Sequence, residues 1–320
     1  MKPPTEPPVE RTILGRTGLE VGVAGLGGGG RSRLSLTDSG DDSRAIRIIH
    51  GALDRGANLI DTADLYGTEE VIGKALKGRR HAAVLTTKTA AARDDAVVDP
   101  ASLSEKLEAS LKRLGTDYVD IYCLHAVHPD HYRRTHETLL PELRRLREQG
   151  KFRFIGLTER FPADPQHRML QAALRDDAWD VVMVGFNLLN PSARNRVFAL
   201  TRENNVGTLN MFAVRRALSQ APALRELVDG LIEKGLVAED GLDRSDPLGF
   251  LLSDRHCLSL TEAAYRFCRH EPGVDVVLTG TGNPAHLEAN LNALSRPPLP
   301  QDLQDRLARL FGHIDSVTGN

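Results

Sequence analysis

Eight short apolar runs rich in β-branched residues recur along the chain, and what separates them has the period of an amphipathic helix. The runs are VGVAGLG from Val21, NLID from Asn58, HAAVLTTK from His81, YVDIYCLH from Tyr118, FRFIGLT from Phe152, DVVMVGFN from Asp180, VGTLNMF from Val206 and VDVVLTG from Val274. Several are apolar enough to be buried on both faces, as parallel strands covered by helices are. Between them, Ile46, Ile49 and Leu53 share a helical face after Ser43, which reads as an N-cap, and Gly56 stops the turn. Ser102 and Glu105 read as a capping box ahead of Leu103, Leu107, Leu111 and Leu114, with Gly115 as the C-terminal stop; Leu139, Leu143 and Leu146 repeat the pattern up to Gly150. Eight strands alternating with helices over 320 residues, somewhat above the roughly 250 typical of the fold, predict an α/β (β/α)8 TIM barrel. A doubly wound sheet is the rival.

Residues 1–10 carry four prolines and little that packs, so they read as a disordered N-terminal tail, leaving 11–320 as a single barrel domain. The stretch from Arg215 to Leu258 is far longer than an ordinary βα connection. It reads as a candidate lid containing a helix over Ala221–Gly235.

Composition narrows the partners. With 41 Lys and Arg against 43 Asp and Glu, and no basic stripe, nucleic acid is not the expected partner. No apolar run is long enough to span a bilayer and the Pro-rich start has no apolar h-region, so no membrane and a cytoplasmic location are expected. Cys123, Cys257 and Cys268 form no CxxC, which argues against a disulfide framework or structural zinc. His125, His128, His131 and His136 lack the cysteine or paired carboxylates of a metal set; no metal is expected, and His128 and Tyr132 are placed along the pocket instead.

Gly25, Gly27 and Gly30 match GxGxxG, but no helix opens at them as a dinucleotide fingerprint requires. They read as a flexible strand-to-helix loop. The strand ends are more informative. Asp61 ends the second strand with Tyr66 in the loop beyond it, Lys88 ends the third and His125 the fourth, so all four fall on the C-terminal rim where a barrel builds its active site. Singly, each has an ordinary reading: a helix cap, a half-buried aromatic, a solvated lysine, a loop histidine. Together they make a proton-transfer set. An ammonium beside a phenol lowers its pKa, a carboxylate holds the ammonium in place, and an imidazole donates to a carbonyl oxygen. In that set Lys88 acts on Tyr66, Asp61 holds Lys88, His125 polarises the carbonyl and Tyr66 is the general acid. None of these groups delivers hydride, so reduction by this set needs a nicotinamide cofactor.

RTILGRTGLEVGVAGLG, NLIDTADLYGTEEVIGKAL, LTTK, DYVDIYCLH and VLTGTGNPAHLEANL together resemble the aldo-keto reductase family over nearly all of residues 11–315. The resemblance implies the barrel, a catalytic tetrad of Asp61, Tyr66, Lys88 and His125, and NAD(P)-dependent interconversion of a small-molecule aldehyde, ketone or sugar with its alcohol. It implies NADP as the habitual cofactor, with NAD possible. The family's Ser-Asn and Gln that hold the nicotinamide carboxamide are here Thr158, Glu159 and Met183, and its stacking aromatic is Met211, followed by Phe212. Arg215, with Arg216, is expected at the pyrophosphate. Around Gly280, Thr281, Gly282, Asn283, His286 and Asn290 the adenosine end is expected, without the family's basic residue against the 2′-phosphate; His286, Arg266 or Arg269 would supply charge there. Two rival functions are a catalytically weak cofactor-sensing regulatory barrel, suggested by the altered clamp, and a non-redox enzyme using the same four residues. Nothing in the sequence reports the oligomeric state.

Overall fold

The computed structural model describes residues 8–39, 42–93, 96–240 and 242–320. Eight parallel strands form the barrel in chain order: β1 (Ala24–Gly27), β2 (Leu59–Asp61), β3 (Val84–Ala90), β4 (Val119–Val127), β5 (Phe152–Glu159), β6 (Val181–Gly185), β7 (Gly207–Met211) and β8 (Val276–Thr279), with β8 pairing β1 to close it. The principal helices that follow them are α1 (Asp42–Asp54), α2 (Glu69–Leu76), α3 (Pro100–Leu114), α4 (Tyr132–Glu148), α5 (Arg168–Ala173), α6 (Phe198–Glu203), α7 (Leu260–Arg269) and α8 (Pro284–Leu294). This is the (β/α)8 TIM barrel the alternation predicts; the doubly wound rival falls because its sheet stays open.

Three local expectations are revised. The run from Val21 is split: Val21 and Gly22 belong to a hairpin in which Glu20–Gly22 pairs antiparallel with Arg11–Ile13, and the barrel strand starts only at Ala24. Leu14, Leu19 and Val21 of this hairpin segment pack with Leu59, Val84, Ile121, Val181 and Val276, plugging the barrel end opposite the rim described below. α1 already includes Ser43, so Ser43 is not its cap, although Gly56 does take positive φ just beyond it. α3 is capped by Asp99, whose carboxylate accepts from the Ala101 amide, with Pro100 as its first residue; Asp-Pro serves where Ser102 and Glu105 were expected.

Of the expected tail, residues 1–7 lie outside the described residues. Its last part is anchored: Val9 is buried, its amide donates to the Arg55 carbonyl, and Glu10 pairs with Arg269. The long connection after β7 is packed, with a helix over Ala221–Glu233. Leu224, Val228, Leu231, Leu248 and Leu251 share one apolar cluster with Leu303, Leu307 and Phe311 of the helix Gln301–Phe311. Among the described residues no helix is long and apolar enough to cross a membrane.

Candidate active site

Register places the four rim residues in rising steps. Asp61 lies level with Thr86 of β3; Lys88 is one inward step higher, level with Cys123 of β4, and His125 one step higher again, level with Ala90. Because side chains on a strand alternate, these steps turn Lys88 and His125 toward the same lumen. Lys88 is fully buried and donates to Asp61 Oδ1 at 2.7 Å, to Asp61 Oδ2 at 2.9 Å and to the Thr62 carbonyl at 2.7 Å. The Tyr66 hydroxyl stands 3.3 Å from His125 Nε2, the two rings meet edge to face, and the Lys88 ammonium is 4.9 Å from the Tyr66 ring centre. The solvated-lysine reading is therefore excluded.

Two backbone devices aim these side chains. The register of β4 slips between Leu124 and Val127, Ala126 takes φ +54°, and its amide donates to Thr158 Oγ1 at 2.7 Å. Such bulges re-aim a neighbouring side chain, and here the neighbour is His125. The glycine loop after β1 lies against Tyr66: a Cβ on Gly29 would stand 2.8 Å from Tyr66 Cε2, and one on Gly28 would stand 3.0 Å from the Asp61 carbonyl. Close backbone approach is what these glycines provide.

Burial dominates the local electrostatics. Burial works most strongly against the Lys88 ammonium, but the charge and hydrogen bonds of Asp61, together with Tyr66, overcome it and raise its pKa. Tyr66 is raised, because burial outweighs the stabilisation of phenolate by Lys88. The expectation that Lys88 leaves Tyr66 below its ordinary value is thus corrected for the protein alone. His125 is lowered to about 3 by burial and then by Lys88, so its imidazole is neutral at physiological pH.

A cavity of about 1100 Å³ opens over Asp61, Tyr66 and His125, and Thr158, Glu159, Met183, Met211, Phe212, Gly280, Thr281, His286 and Asn290 also line it. Arg31, Phe212, Val214 and Thr281 continue into a second cavity of about 1170 Å³, where Arg215, Gly282 and Asn283 stand. The cofactor-site residues expected from sequence thus border one continuous trough. Several are already engaged: Asn290 donates to Thr279 Oγ1 at 2.8 Å, Asn283 caps α8, and Arg215 stacks on Phe212 at 4.0 Å while donating to Asn320 Oδ1. Phe212 holds φ +66°, a strained setting for an aromatic residue at the cavity wall.

Glu159 is not a loose charge. Both of its carboxylate oxygens lie within 3.0 Å of His167 Nδ1, Oε1 also accepts from the Gly185 amide at 2.7 Å, and His167 Nε2 lies 3.0 Å from Ser192 Oγ. Burial raises the Glu159 pKa, with His167 and the Gly185 amide opposing. Phe161 stacks between His167 and Phe212, linking this buried trio to the cavity wall. His167, Ser192 and Phe161 were not anticipated; the signal was a carboxylate at a buried strand end, which needs a partner. Four assignments fail. Tyr132 does not line the trough: its hydroxyl donates to Asp176 and accepts from Trp179. His128 accepts from the Asp130 amide in a turn outside it. Arg266 is buried against Glu262 and the Pro297 and Pro298 carbonyls, and Arg269 pairs with Glu10, so neither serves the β8 turn.

The description "Aldo/keto reductase family" belongs to the family model that matches residues 19–310. Aldo-keto reductase YhdN of Bacillus subtilis is 30% identical over 310 residues, covering 88% of this chain and 87% of its own. Among solved structures, the holo form of aldo-keto reductase AKR11C1 from Bacillus halodurans aligns over 95% of this chain and 96% of its own, at TM-score 0.71 and 24% identity. An aldo/keto reductase from Klebsiella pneumoniae, solved in complex with NADP and acetate, covers 95% and 96% at TM-score 0.66 and 19% identity, a likeness of fold. With the match spanning almost the whole barrel, the chain belongs to the aldo/keto reductase family and is an NAD(P)H-dependent oxidoreductase.

Proposed function

We propose that the chain reduces a small aldehyde or ketone to its alcohol, reversibly and with NADPH, using Tyr66 as proton donor. The observation that carries this reading is the buried Lys88–Asp61 pair set under a phenol that shares the cavity with a neutral imidazole. A dinucleotide fits the trough. Its inner end is walled by Met183, Met211 and Phe212, its outer end by arginines, and glycines cradle the passage: a Cβ on Gly280 would come 3.0 Å from the Gly27 carbonyl. Bound there, the reduced nicotinamide supplies hydride.

The chain's own residues do the rest. With Glu159 tied to His167 and the Thr158 hydroxyl, which accepts from Ala126, keeping one proton to donate, the ring would be held chiefly by apolar packing on Met183, Met211 and Phe212. His125, neutral, donates to the substrate carbonyl oxygen. Tyr66 protonates that oxygen as negative charge develops on it, and the Lys88 ammonium stabilises the phenolate left behind. Asp61 keeps Lys88 charged and pointed at the ring. In the opposite direction the phenolate removes the alcohol proton. Arg215 and Arg216, with the amides of the β8 turn at the start of α8, meet the pyrophosphate.

The test is a screen of small aldehydes, ketones and sugars with NADPH, following nicotinamide absorbance. Substrate-dependent oxidation of NADPH, matched by alcohol formed, is expected. Product formation with no change in absorbance would assign a non-redox reaction instead, and cofactor binding without turnover of any carbonyl would assign a sensing role.

A further inference from the structure

The outer cavity carries more positive charge than a pyrophosphate needs. Arg31, Arg44, Arg215 and Arg216 line it, and no Asp or Glu does among the described residues. A groove whose charged side chains are of one sign concentrates anions. The arginines are not equivalent. Arg31 borders both cavities, at the passage between them; Arg44, Arg215 and Arg216 border the outer cavity alone, Arg215 and Arg216 just beyond β7 and Arg44 on α1, in the lining with Gly282, Asn283 and Pro284.

The β8 turn itself offers backbone and Asn283 but no cation. Its glycine brings the two walls into contact: a Cβ on Gly282 would stand 3.0 Å from Ser32 Cβ and 3.0 Å from the Ser35 backbone. The Arg44 guanidinium lies on that contact, with Nη1 3.5 Å from Ser35 Oγ. The glycine that removes a basic side chain from the β8 turn therefore also lets the β1 loop, with its own basic residues, close against it.

We infer that Arg44 is the binding site for the adenosine 2′-phosphate and thereby sets the choice of NADPH over NADH. The inference rests on the dinucleotide reading above and deepens it. The pyrophosphate, joining two halves of an extended molecule, falls at the passage bordered by Arg31, with Arg215 and Arg216 in the outer cavity just beyond β7. A phosphate monoester is the remaining anion, of charge about −1.5 to −2, and Arg44 is the cation on the outer wall that the pyrophosphate does not take. A guanidinium matches phosphate oxygens two at a time, so an exposed arginine here discriminates by charge and by geometry.

The experiment titrates the full chain calorimetrically with NADPH and with NADH, in wild type, Arg44→Gln and Arg44→Lys. Wild type is expected to bind NADPH more tightly, Arg44→Gln to lose about tenfold or more in NADPH affinity while NADH affinity stays within about twofold, and Arg44→Lys to fall between, as expected for one charge-assisted contact. Raising ionic strength should narrow the gap in wild type more than in Arg44→Gln. Wild type preferring NADH, equal losses for both cofactors, or no loss in Arg44→Gln would overturn the inference alone. Wild type binding neither would overturn the dinucleotide reading with it.

Discussion

The Ala126 amide donates to Thr158 Oγ1 at 2.7 Å, and this one bond ties the bulge of β4 to the end of β5. His125 is the residue just before the bulged position, so a threonine that resembles a cofactor ligand in sequence is here a positioning residue for the imidazole. The same hydroxyl retains its proton for donation to a ligand.

Thr158→Val removes that acceptor at nearly constant volume. The expected loss is about 1 kcal/mol of stability, a typical single hydrogen bond, and about tenfold in kcat as His125 loses its aim, with Thr158→Ser restoring most of both. Denaturant unfolding and steady-state kinetics on the three proteins check this. An unchanged kcat in Thr158→Val would show that the bulge holds without it.

Lys88 and Asp61 should behave as a unit. Lys88→Met strands a carboxylate in the barrel and is expected to destabilise by about 3–5 kcal/mol, as breaking a buried pair typically does. Adding Asp61→Asn removes the stranded charge and should recover most of that stability while leaving turnover abolished. Thermal unfolding separates the two effects. If the double variant were no more stable than Lys88→Met, the stranded charge would not be the cause.

The pH dependence follows from two shifts of opposite consequence. Tyr66 is raised by burial, so the protonated phenol needed for reduction persists through neutral pH; reduction should decline only in alkali, and alcohol oxidation, which needs phenolate, should climb there. His125, lowered from 6.5 to about 3, should put no acid limb near the ordinary histidine value. For stability, the unfolded chain takes up a proton on His125 below 6.5 that the folded chain refuses. Stability should therefore fall as pH drops from 6.5 toward 3, and His125→Asn should flatten that part of the curve. A reductive profile half-maximal near 6.5 would contradict the assignment.

Much of this was legible in the chain. Apolar runs at βα spacing are a global signal, repeated eight times, and the barrel follows from it; Asp61, Lys88 and His125 stand at the ends of such runs, so topology alone brings them to one rim. Cap identities were less legible, because Asp99-Pro100 and Ser102-x-x-Glu105 both satisfy local rules and the choice between them depends on where the chain enters the helix. The His167 and Ser192 partners of Glu159 lie on later loops, and a pairing across loops leaves no periodic trace. The Tyr66 shift was misjudged because a neighbouring charge is visible in sequence and the extent of desolvation is not.

The central claim is that Tyr66 transfers the proton in a reaction whose hydride comes from bound NADPH. Its most direct test compares wild type with Tyr66→Phe for NADPH affinity by calorimetry and for single-turnover oxidation of bound NADPH by a carbonyl substrate. The account predicts NADPH affinity within about twofold of wild type and a loss of at least about 100-fold in the single-turnover rate, the lower range for removing a positioned general acid. A Tyr66→Phe variant that oxidises NADPH at the wild-type rate would contradict it.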